Sequence, residues 1–537
     1  MTTITPYRSG QRPGPDGFAQ LLHAEWTKFR TVRGWVIGMI VAVVAAAGIG
    51  LLGTGTSTSS CQRAGGQAGS GPVSGQAASG TACSSLTFTL GPGGEPVSDN
   101  FYFVRQPLTG DGSITVRVTS LTGLLPSQDP NGPPTPTRPG LEPWAKTGII
   151  IKQDTRQGSP YAAIMVAAGH GVRMQWNYTA DTPGMPGAVG PASPRWLRLT
   201  RAGDVITGYD SADGAHWTQV GAVTLSGLPA TVPGGLFTAS PDDDQESQNF
   251  GGGVNGGGGP TQATAVFDHV TAPGGSWAGG YVGYPEIPGA GAYHQAGGRF
   301  TVTGQGDVAP IPAGHGGPAD AAATLTGYLL GTFVGLIALA VVATMFMTAE
   351  YRRNLIRVTL AANPRRGRTL AAKAIVIGAV SFVAGLVAAA VAVLAGTAVT
   401  HARGYYEFPV PTSTVVRVII GTAALAAVSA VLALAVGTIV RRSATAVAIA
   451  IVMIAGPYFL AVAAVVPLGA ADWLLRVTPA AGFALQGPYP QYPQVTAIYS
   501  ALSGYFPLAP WAGLAVLCGW AAAALALAAY LLRRRDA

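Results

Sequence analysis

Residues 325–347 read LTGYLLGTFVGLIALAVVATMFM, and this stretch decides the fold class. It contains no Asp, Glu, Lys or Arg. A helix of about 20 apolar residues crosses the roughly 30 Å hydrocarbon core of a bilayer. The stretch therefore predicts a transmembrane helix, and the chain is expected to be an integral membrane protein.

Five further stretches have the same character. Each is rich in Ala, Val, Leu and Gly, and charges occur only near their ends, at Lys373 and Arg417, where long side chains can reach the membrane surface. The first stretch is not followed by an A-x-A sequence, so we expect a retained span rather than a signal peptide. Gly456 and Pro457 predict a kink or break in the fifth. The six predicted spans are 35–52, 325–347, 370–399, 415–440, 444–468 and 510–532.

The distribution of charge predicts the orientation. Residues 54–320 hold 12 Lys or Arg and 18 Asp or Glu, whereas the remaining residues hold 20 and 6. Seventeen basic residues flank the spans on the N-terminal side of the membrane and three on the other. The positive-inside rule then makes both termini cytoplasmic and the segment after the first span extracytoplasmic, in a multi-pass protein of the cell membrane. Because the basic residues border spans, we expect no nucleic-acid partner.

The segment between the first two spans has the pattern of a β domain. A flexible linker rich in Gly, Ser and Gln, 54–85, is followed by short alternating runs such as WLRLTR at 196–201. Alternation places Leu197 and Leu199 on one face and Arg198 on the other. Residues 86–273 are predicted to be an antiparallel sandwich, and 274–323, rich in Gly and Pro, a return linker or a small cap. The predicted fold is thus an α-helical membrane protein with six transmembrane helices and an inserted all-β sandwich.

The N-terminal segment, 1–34, contains a second helical pattern. In FAQLLHAEWTKFRTVR, residues 18–33, apolar residues recur at helical spacing between basic ones. This predicts an amphipathic helix in the membrane interface. A plain extension of the span at 35–53 fits the sequence equally well.

Two segments on the predicted cytoplasmic side carry a family resemblance. HAEWTKFRTVR, residues 23–33, and AEYRRNLIRVTLAANPRRGRTLAAKA, residues 349–374, resemble permease subunits of export-type ABC transporters, which have six spans. The resemblance implies that 349–369 is the coupling loop touched by a separate ATPase, with Glu350, Arg352, Arg357 and Thr359 in that role. Within 324–537, which holds the other five spans, it also implies an outer re-entrant segment over 469–509.

The chain has no ATP-binding motif of its own. G-x-x-x-x-G-K-[ST] does not occur, and neither does the dipeptide Gly-Lys. We therefore expect no cofactor on this chain, no enzyme activity, and ATP on a partner. The resemblance implies a cytoplasmic ABC ATPase partner and a permease dimer, either homo- or heteromeric, within membrane lipid. In such transporters the helices of the permease would rock when ATP closes the dimer of ATPase subunits.

The β segment resembles a second family. WLRLTRAGDVITGY, residues 196–209, is similar to concanavalin-like, laminin-G-like jelly-roll domains, many of which bind sugars. The resemblance implies a glycan or cell-envelope ligand. Stacking on sugar rings would fall to aromatic side chains, although aromatics in a sandwich more often belong to the core. The candidates are Trp144, Trp176, Tyr209 and Trp217.

Two smaller clusters have a structural and a functional interpretation. Asp242, Asp243 and Asp244 are a weak calcium candidate, since calcium prefers clustered oxygens, or they are a solvated acidic loop. Cys61 and Cys83 form a disulfide on the oxidising side or remain free thiols. The histidines show no close metal-ligand spacing, so no other metal is expected.

Two alternatives to a transporter are compatible with parts of the sequence. The chain could be a membrane-anchored extracytoplasmic glycan-binding or sensory protein without transport activity. A glycan hydrolase would need two carboxylates paired across a cleft, and no such pair is identifiable. The loop at 349–374 favours the permease.

Overall fold

The computed structural model describes residues 17–53, 88–127, 136–243, 245–248, 254–257, 259–283, 290–315, 322–352, 366–403 and 407–534. The predicted disulfide between Cys61 and Cys83 lies outside these residues. So do Asp244, Arg357 and Thr359.

The described part of the chain contains ten α-helices and one long 3-10 helix, Pro479–Gln486, in its helical region. The α-helices are α1 Phe18–Thr31, α2 Arg33–Gly53, α3 Leu325–Tyr328, α4 Thr332–Arg352, α5 Arg366–Ala402, α6 Thr412–Val440, α7 Ser443–Ile454, α8 Gly456–Val462, α9 Leu468–Val477 and α10 Pro510–Arg534.

Five membrane spans meet the requirements of length and apolar composition within the described residues: α2, α3 with α4, α5, α6 and α10. The helices α7 and α8 make a sixth only if they are counted as one span, because they are bent by 42° at Ala455. The bend stands directly before Gly456 and Pro457, where the sequence predicts a break, since proline cannot donate a helical hydrogen bond.

The helix α1 is separate from the first span. Between α1 and α2 the backbone of Val32 is extended, with φ −86° and ψ 96°. Glu25 and Phe29 are buried, whereas Phe18 and Trp26 stay exposed. Residues 18–33 are therefore not a continuous extension of the first span.

Glycines bring α2 close to the second span. A Cβ added at Gly331 would clash with the carbonyl oxygen of Ala46, and one added at Gly335 would lie 2.8 Å from the Ala46 Cβ. A Cβ at Gly50 would clash with the carbonyl oxygen of Tyr328. Small residues let helix backbones approach in this way, so α2 packs against α4 at short range.

The described residues between 88 and 310 form the β region. Its strands are β1 Val97–Asp99, β2 Phe101–Thr109, β3 Gly112–Leu125, β4 Arg138–Pro139, β5 Lys146–Lys152, β6 Tyr161–Ala167, β7 Gly171–Trp176, β8 Ala180–Pro183, β9 Arg195–Ala202, β10 Val205–Ser211, β11 Thr218–Thr224, β12 Thr231–Ala239, β13 Gln245–Gln248, β14 Val254–Gly257, β15 Gln262–Thr271, β16 Ala278–Val282, β17 Ala292–Ala296, β18 Arg299–Gly304 and β19 Val308–Pro310.

Two antiparallel sheets face each other. One has the order β11-β10-β9-β3-β15-β18-β17, with β4 added beside β3, and the other β16-β2-β12-β5-β6-β7-β8. Alternate residues of both sheets meet in one core, which includes Ile114, Val116, Leu197 and Leu199 from the first sheet and Ile149, Ile164 and Leu236 from the second. The predicted sandwich region is present as two layers of seven and eight strands.

The sheets extend beyond residue 273, where the predicted sandwich ended. The strands β16, β17 and β18 fall inside 274–323, which we expected to be a linker or a cap with one possible strand at 298–304. The strand β18 is the one expected, whereas β16 and β17 were not predicted. The sequence of β16 and β17 does not alternate clearly, because these strands bury little side-chain surface. Their identity comes from backbone pairing with β2 and β18.

Buried ion pairs hold the two ends of the β region against the second sheet. The strands β1 and β19 pair with each other, so the chain enters and leaves side by side. Lys152 of β5 pairs with Asp99 at 2.8 Å, and Lys146 pairs with Asp307 at 2.6 Å. Both lysines are fully buried. The outer face of this sheet is therefore covered by the chain's own connections.

The β region also contacts the segment before the last span. Gln494, which is 1% exposed, donates to the carbonyl oxygens of Tyr178 and Thr179, each at 3.1 Å. The backbone N–H of Ala313 donates to the hydroxyl of Tyr505 at 2.7 Å. These contacts fix the β region at one end of the helices, which is called the sandwich end below.

Candidate functional site

Four charged side chains meet at the opposite end of the helices. Lys373 of α5 donates from Nζ to Glu25 Oε2 of α1 and to Glu350 Oε1 of α4, both at 2.7 Å. Lys28 donates to Glu25 Oε1 at 2.9 Å and to Glu350 Oε1 at 3.2 Å. We call these four residues the charge cluster. Its two ammonium groups and two carboxylates balance in charge.

The charge cluster lies against an aromatic wall. The ammonium of Lys373 stands 4.6 Å from the centre of the Phe346 ring, on which it can make a cation–π contact. Phe29 and Trp35 pack edge-on against the same ring, at 5.7 and 4.9 Å between centroids. The aromatic side chains keep water from this side of the charges, which strengthens their attraction.

Burial differs among the four charges. Lys373 and Glu25 are 0% exposed and Glu350 is 6% exposed, whereas the side chain of Lys28 is 40% exposed. Burial alone would lower the pKa of Lys28, but the hydrogen bond to Glu25 and the charge of Glu350 outweigh it and raise that pKa. The cluster therefore opens to its surroundings only through Lys28.

The position of Lys373 corrects one expectation. The sequence suggested that Lys373 and Arg417 reach the membrane surface from the ends of their spans. Lys373 is instead enclosed, because two carboxylates from other helices lie within hydrogen-bond distance. Arg417 is half-buried and donates to the carbonyl oxygen of Gly487 at 2.8 Å. Both side chains are held by polar partners inside the protein.

The charge cluster stands at the boundary of residues 353–365. Glu350 lies two residues before the end of α4. On the other side, Arg366, the first residue of α5, donates to the carbonyl oxygen of Leu532 near the end of α10 at 2.6 Å. The last turn of α4 is also held by Ser443, whose hydroxyl bonds that of Thr348 at 2.9 Å. The helices on both sides of this loop are thus fixed by polar contacts.

The predicted coupling residues fall unevenly on the described structure. Glu350 belongs to the charge cluster. Arg352 ends α4, and only its backbone is described. Arg357 and Thr359 lie outside the described residues.

Sequence reasoning missed Glu25, Lys28 and Lys373 as members of one site. A signal was present, because Glu25 is a single carboxylate on the apolar face of its helix and Lys373 is a single cation within an apolar run. Isolated opposite charges in apolar surroundings are rarely stable unless paired. Applied to the sequence, that argument predicts an ion pair between Glu25 and Lys373.

Comparison with known families settles the class of protein. The sequence pattern of the ABC-2 family transporter proteins matches residues 21–537, which include the helices, the charge cluster and the β region. This chain belongs to the ABC-2 transporter family. An ABC-2 permease is the membrane-spanning subunit of an ABC transporter, and the ATPase lies on a separate chain. The expectation of a multi-pass permease that is not itself an ATPase agrees with this membership.

Other comparisons add little to the ABC-2 assignment. No curated protein matches the chain. A functionally unknown protein from Saccharomyces cerevisiae is 17% identical, with 33% of this chain and 76% of that chain covered and a TM-score of 0.20. Scytalido-glutamic peptidase is 8% identical over 38% and 98% of the two chains, with a TM-score of 0.23. TM-scores this low support no statement about fold or function.

The β region of the ABC-2 permease separates the four candidate aromatics. Trp144 is buried and stacks on His170 at 3.8 Å, and Trp176 packs at the edge of the core between the sheets. Tyr209 and Trp217 lie instead on the outer side of the first sheet or at its edge. Trp144 and Trp176 are therefore packing residues in this structure.

The outer face of the first sheet carries aromatic and cationic side chains together. Arg198 points away from the core between Leu197 and Leu199, stacks on Trp217 at 3.9 Å and stands opposite Tyr209. In the next row, Arg117 stacks on Trp196 at 5.6 Å. We call these five residues the outer aromatic face.

The calcium candidate falls only partly on the described residues. There, no group of three or more His, Cys, Asp or Glu residues is placed to hold a metal ion. Asp242 is exposed and Asp243 is half-buried, and Asp244 lies outside the described residues.

Proposed function

We propose that this protein is the permease subunit of an ATP-driven exporter in the cell membrane, with both termini cytoplasmic. A cytoplasmic ABC ATPase docks on residues 349–369 and binds the ATP, and two permease subunits assemble with two ATPases. The observation that carries this proposal is the anchoring of both ends of the loop. Because Glu350 and Arg366 tie its flanking helices into the bundle, a force on the loop moves those helices.

The direction and the orientation have separate support. The loop at 349–374 resembles that of export-type permeases, which favours export. The excess of basic residues beside the spans on the charge-cluster side favours a cytoplasmic location for that end. The β region, at the other end, is then extracytoplasmic.

A co-purification experiment tests the ATPase docking. Arg357→Glu reverses a charge in the loop without changing the charge cluster, and we expect it to lower recovery of the ATPase with the permease by about tenfold. The control is Arg403→Glu, an exposed position at the sandwich end. Equal recovery of the ATPase with both variants would contradict docking at the loop. Recovery of no ATPase even with the unmodified chain would favour an anchored protein without transport.

We also propose that the β region binds a glycan of the cell envelope. The outer aromatic face favours this, since it groups two tryptophan rings with the guanidinium groups of Arg117 and Arg198, and aromatic rings and N–H donors are the groups that contact sugars. A glycan array probed with the whole protein in lipid nanodiscs should show binding that Trp196→Ala weakens by about tenfold. Val205→Ala, exposed on the same sheet, serves as control. Equal glycan binding by Trp196→Ala and by the unmodified protein would contradict binding at this face.

A further inference from the structure

We propose that Glu25 and Lys373 are positioning residues that join α1 to the loop at 349–369, so that α1 moves with the loop when the ATPase acts. This inference rests on the proposed function, because it concerns how the force on the loop is passed on. It assigns α1 a role in coupling, beyond lying beside the membrane.

The geometry makes Lys373 the centre of the connection. Lys373 follows the loop and Glu350 precedes it, so their contact at 2.7 Å closes the loop at its base. The second carboxylate at 2.7 Å from the same nitrogen belongs to Glu25, on a helix far away in sequence. One ammonium group therefore ties both ends of the loop to α1.

The charges of the cluster restrict how these helices can separate. If α1 moved away alone, Lys373 would lose a carboxylate and Glu25 would be left without its buried cation. A buried charge without its partner is strongly unfavourable, whereas an intact pair gives little net stability over an apolar contact. The cluster therefore acts more on the relative position of α1, α4 and α5 than on overall stability.

The partly exposed Lys28 adds a second contact between α1 and α4. It touches the same two carboxylates as Lys373, at 2.9 and 3.2 Å, but its side chain is 40% exposed. Because Lys28 is on α1 and is partly solvated, the enclosed Lys373 is the stronger connection between α1 and the ends of the loop.

Four variants of the full-length chain in nanodiscs test the proposal. Glu25→Gln and Lys373→Met each leave an unbalanced buried charge, the double variant removes both partners, and Arg30→Gln, at an exposed position of α1 outside the charge cluster, is the control. Hydrogen exchange of α1 and of residues 349–369 is measured without ATPase. Association and stimulated ATP hydrolysis are then measured with the ATPase that co-purifies with the unmodified chain.

The expected results separate positioning from folding. Each buried single variant should exchange about tenfold faster in α1 and at the loop ends and stimulate ATP hydrolysis about tenfold less, with association unchanged. The double variant should recover slow exchange, because no charge is left unpaired, but not stimulation, because α1 is no longer tied to Lys373. Arg30→Gln should resemble the unmodified chain.

Two results would overturn the inference. Unchanged exchange in both single variants would mean that the pair does not hold α1 in place. Full stimulation by the double variant would mean that the connection is not used in coupling. Failure of the unmodified chain to bind any ATPase would instead count against the proposed function, so the two failures are distinguishable.

Discussion

Glu142 shows at the scale of one residue how burial changes the chemistry of a carboxyl group. It is 6% exposed and accepts a hydrogen bond from the backbone N–H of Trp144 at 2.5 Å. Its pKa is raised from 4.5 to about 7, mainly by burial; the nearby charge of Asp307 also raises it, whereas the hydrogen bond from Trp144 and the charge of Lys146 lower it. The folded protein therefore keeps a proton that the unfolded chain releases.

This proton makes stability depend on pH. Because the folded pKa is above the unfolded one, the stabilisation is complete below pH 4.5 and is lost as the pH rises through about 7. We expect Glu142→Gln, which keeps the acceptor for Trp144 but does not ionise, to reduce the fall in melting temperature over this range. Thermal unfolding of the full-length protein followed by tryptophan fluorescence measures it. Parallel pH curves for the variant and the original would contradict the assignment.

At the scale of elements, helix packing depends on glycines that the sequence shows only as a repeat. Gly327, Gly331 and Gly335 lie four apart and suggest a single packing face. Only Gly331 and Gly335 contact α2, around Ala46, whereas Gly327 belongs to α3, where its nearest neighbour is Thr324. The repeat identified the second span as a close-packing helix but not the partner helix, since spacing within one helix contains no information on its neighbours.

Two glycines of α2 provide a matched test of this packing. We expect Gly50→Ala to destabilise the protein by about 1–3 kcal/mol, because a Cβ there overlaps the carbonyl oxygen of Tyr328. Gly48→Ala should cause no loss, since nothing lies within 4 Å of its added Cβ. Thermal unfolding in detergent compares the two variants. Equal losses would mean that helix composition, and not the approach of α3, decides the effect.

At the scale of the whole molecule, the β region and the helices are joined by specific contacts. The side chain of Gln494 bonds two carbonyl oxygens, and both Asn177 and Tyr178 have left-handed backbones, with φ of 46° and 64°. Tyr178 continues inward to the Asp99 and Lys152 pair through its hydroxyl. The contact therefore reaches from the segment before the last span to the buried centre of the β region.

Loss of Gln494 should loosen this junction. We expect Gln494→Ala to leave the carbonyl oxygens of Tyr178 and Thr179 without their donor, at a cost of about 1–3 kcal/mol, and to speed hydrogen exchange around 177–179 and 499–505. Gln491→Ala, an exposed neighbour, is the control. If both variants exchange alike, the hydrogen bonds of Gln494 do not hold this junction.

Elements that are specified by residues close together in the chain are predictable from the sequence. The apolar spans, the break at Gly456 and Pro457, and the alternating strands of the β region are each set by residues near one another in the chain. Family membership was evident for the same reason, since the loop at 349–374 is one continuous segment. Glu350 was found from that segment alone.

Which residues far apart in the sequence share a site is visible only in the folded structure. The pairing of Glu25 with Lys373 joins positions separated by most of the chain, and its physical cause is that a buried charge must find an opposite charge wherever the fold offers one. Likewise, β16 and β17 are strands because β2 and β18 complete their backbone hydrogen bonds. These ion pairs and strand pairs depend on packing in three dimensions, so the spacing of residues along the chain does not predict them.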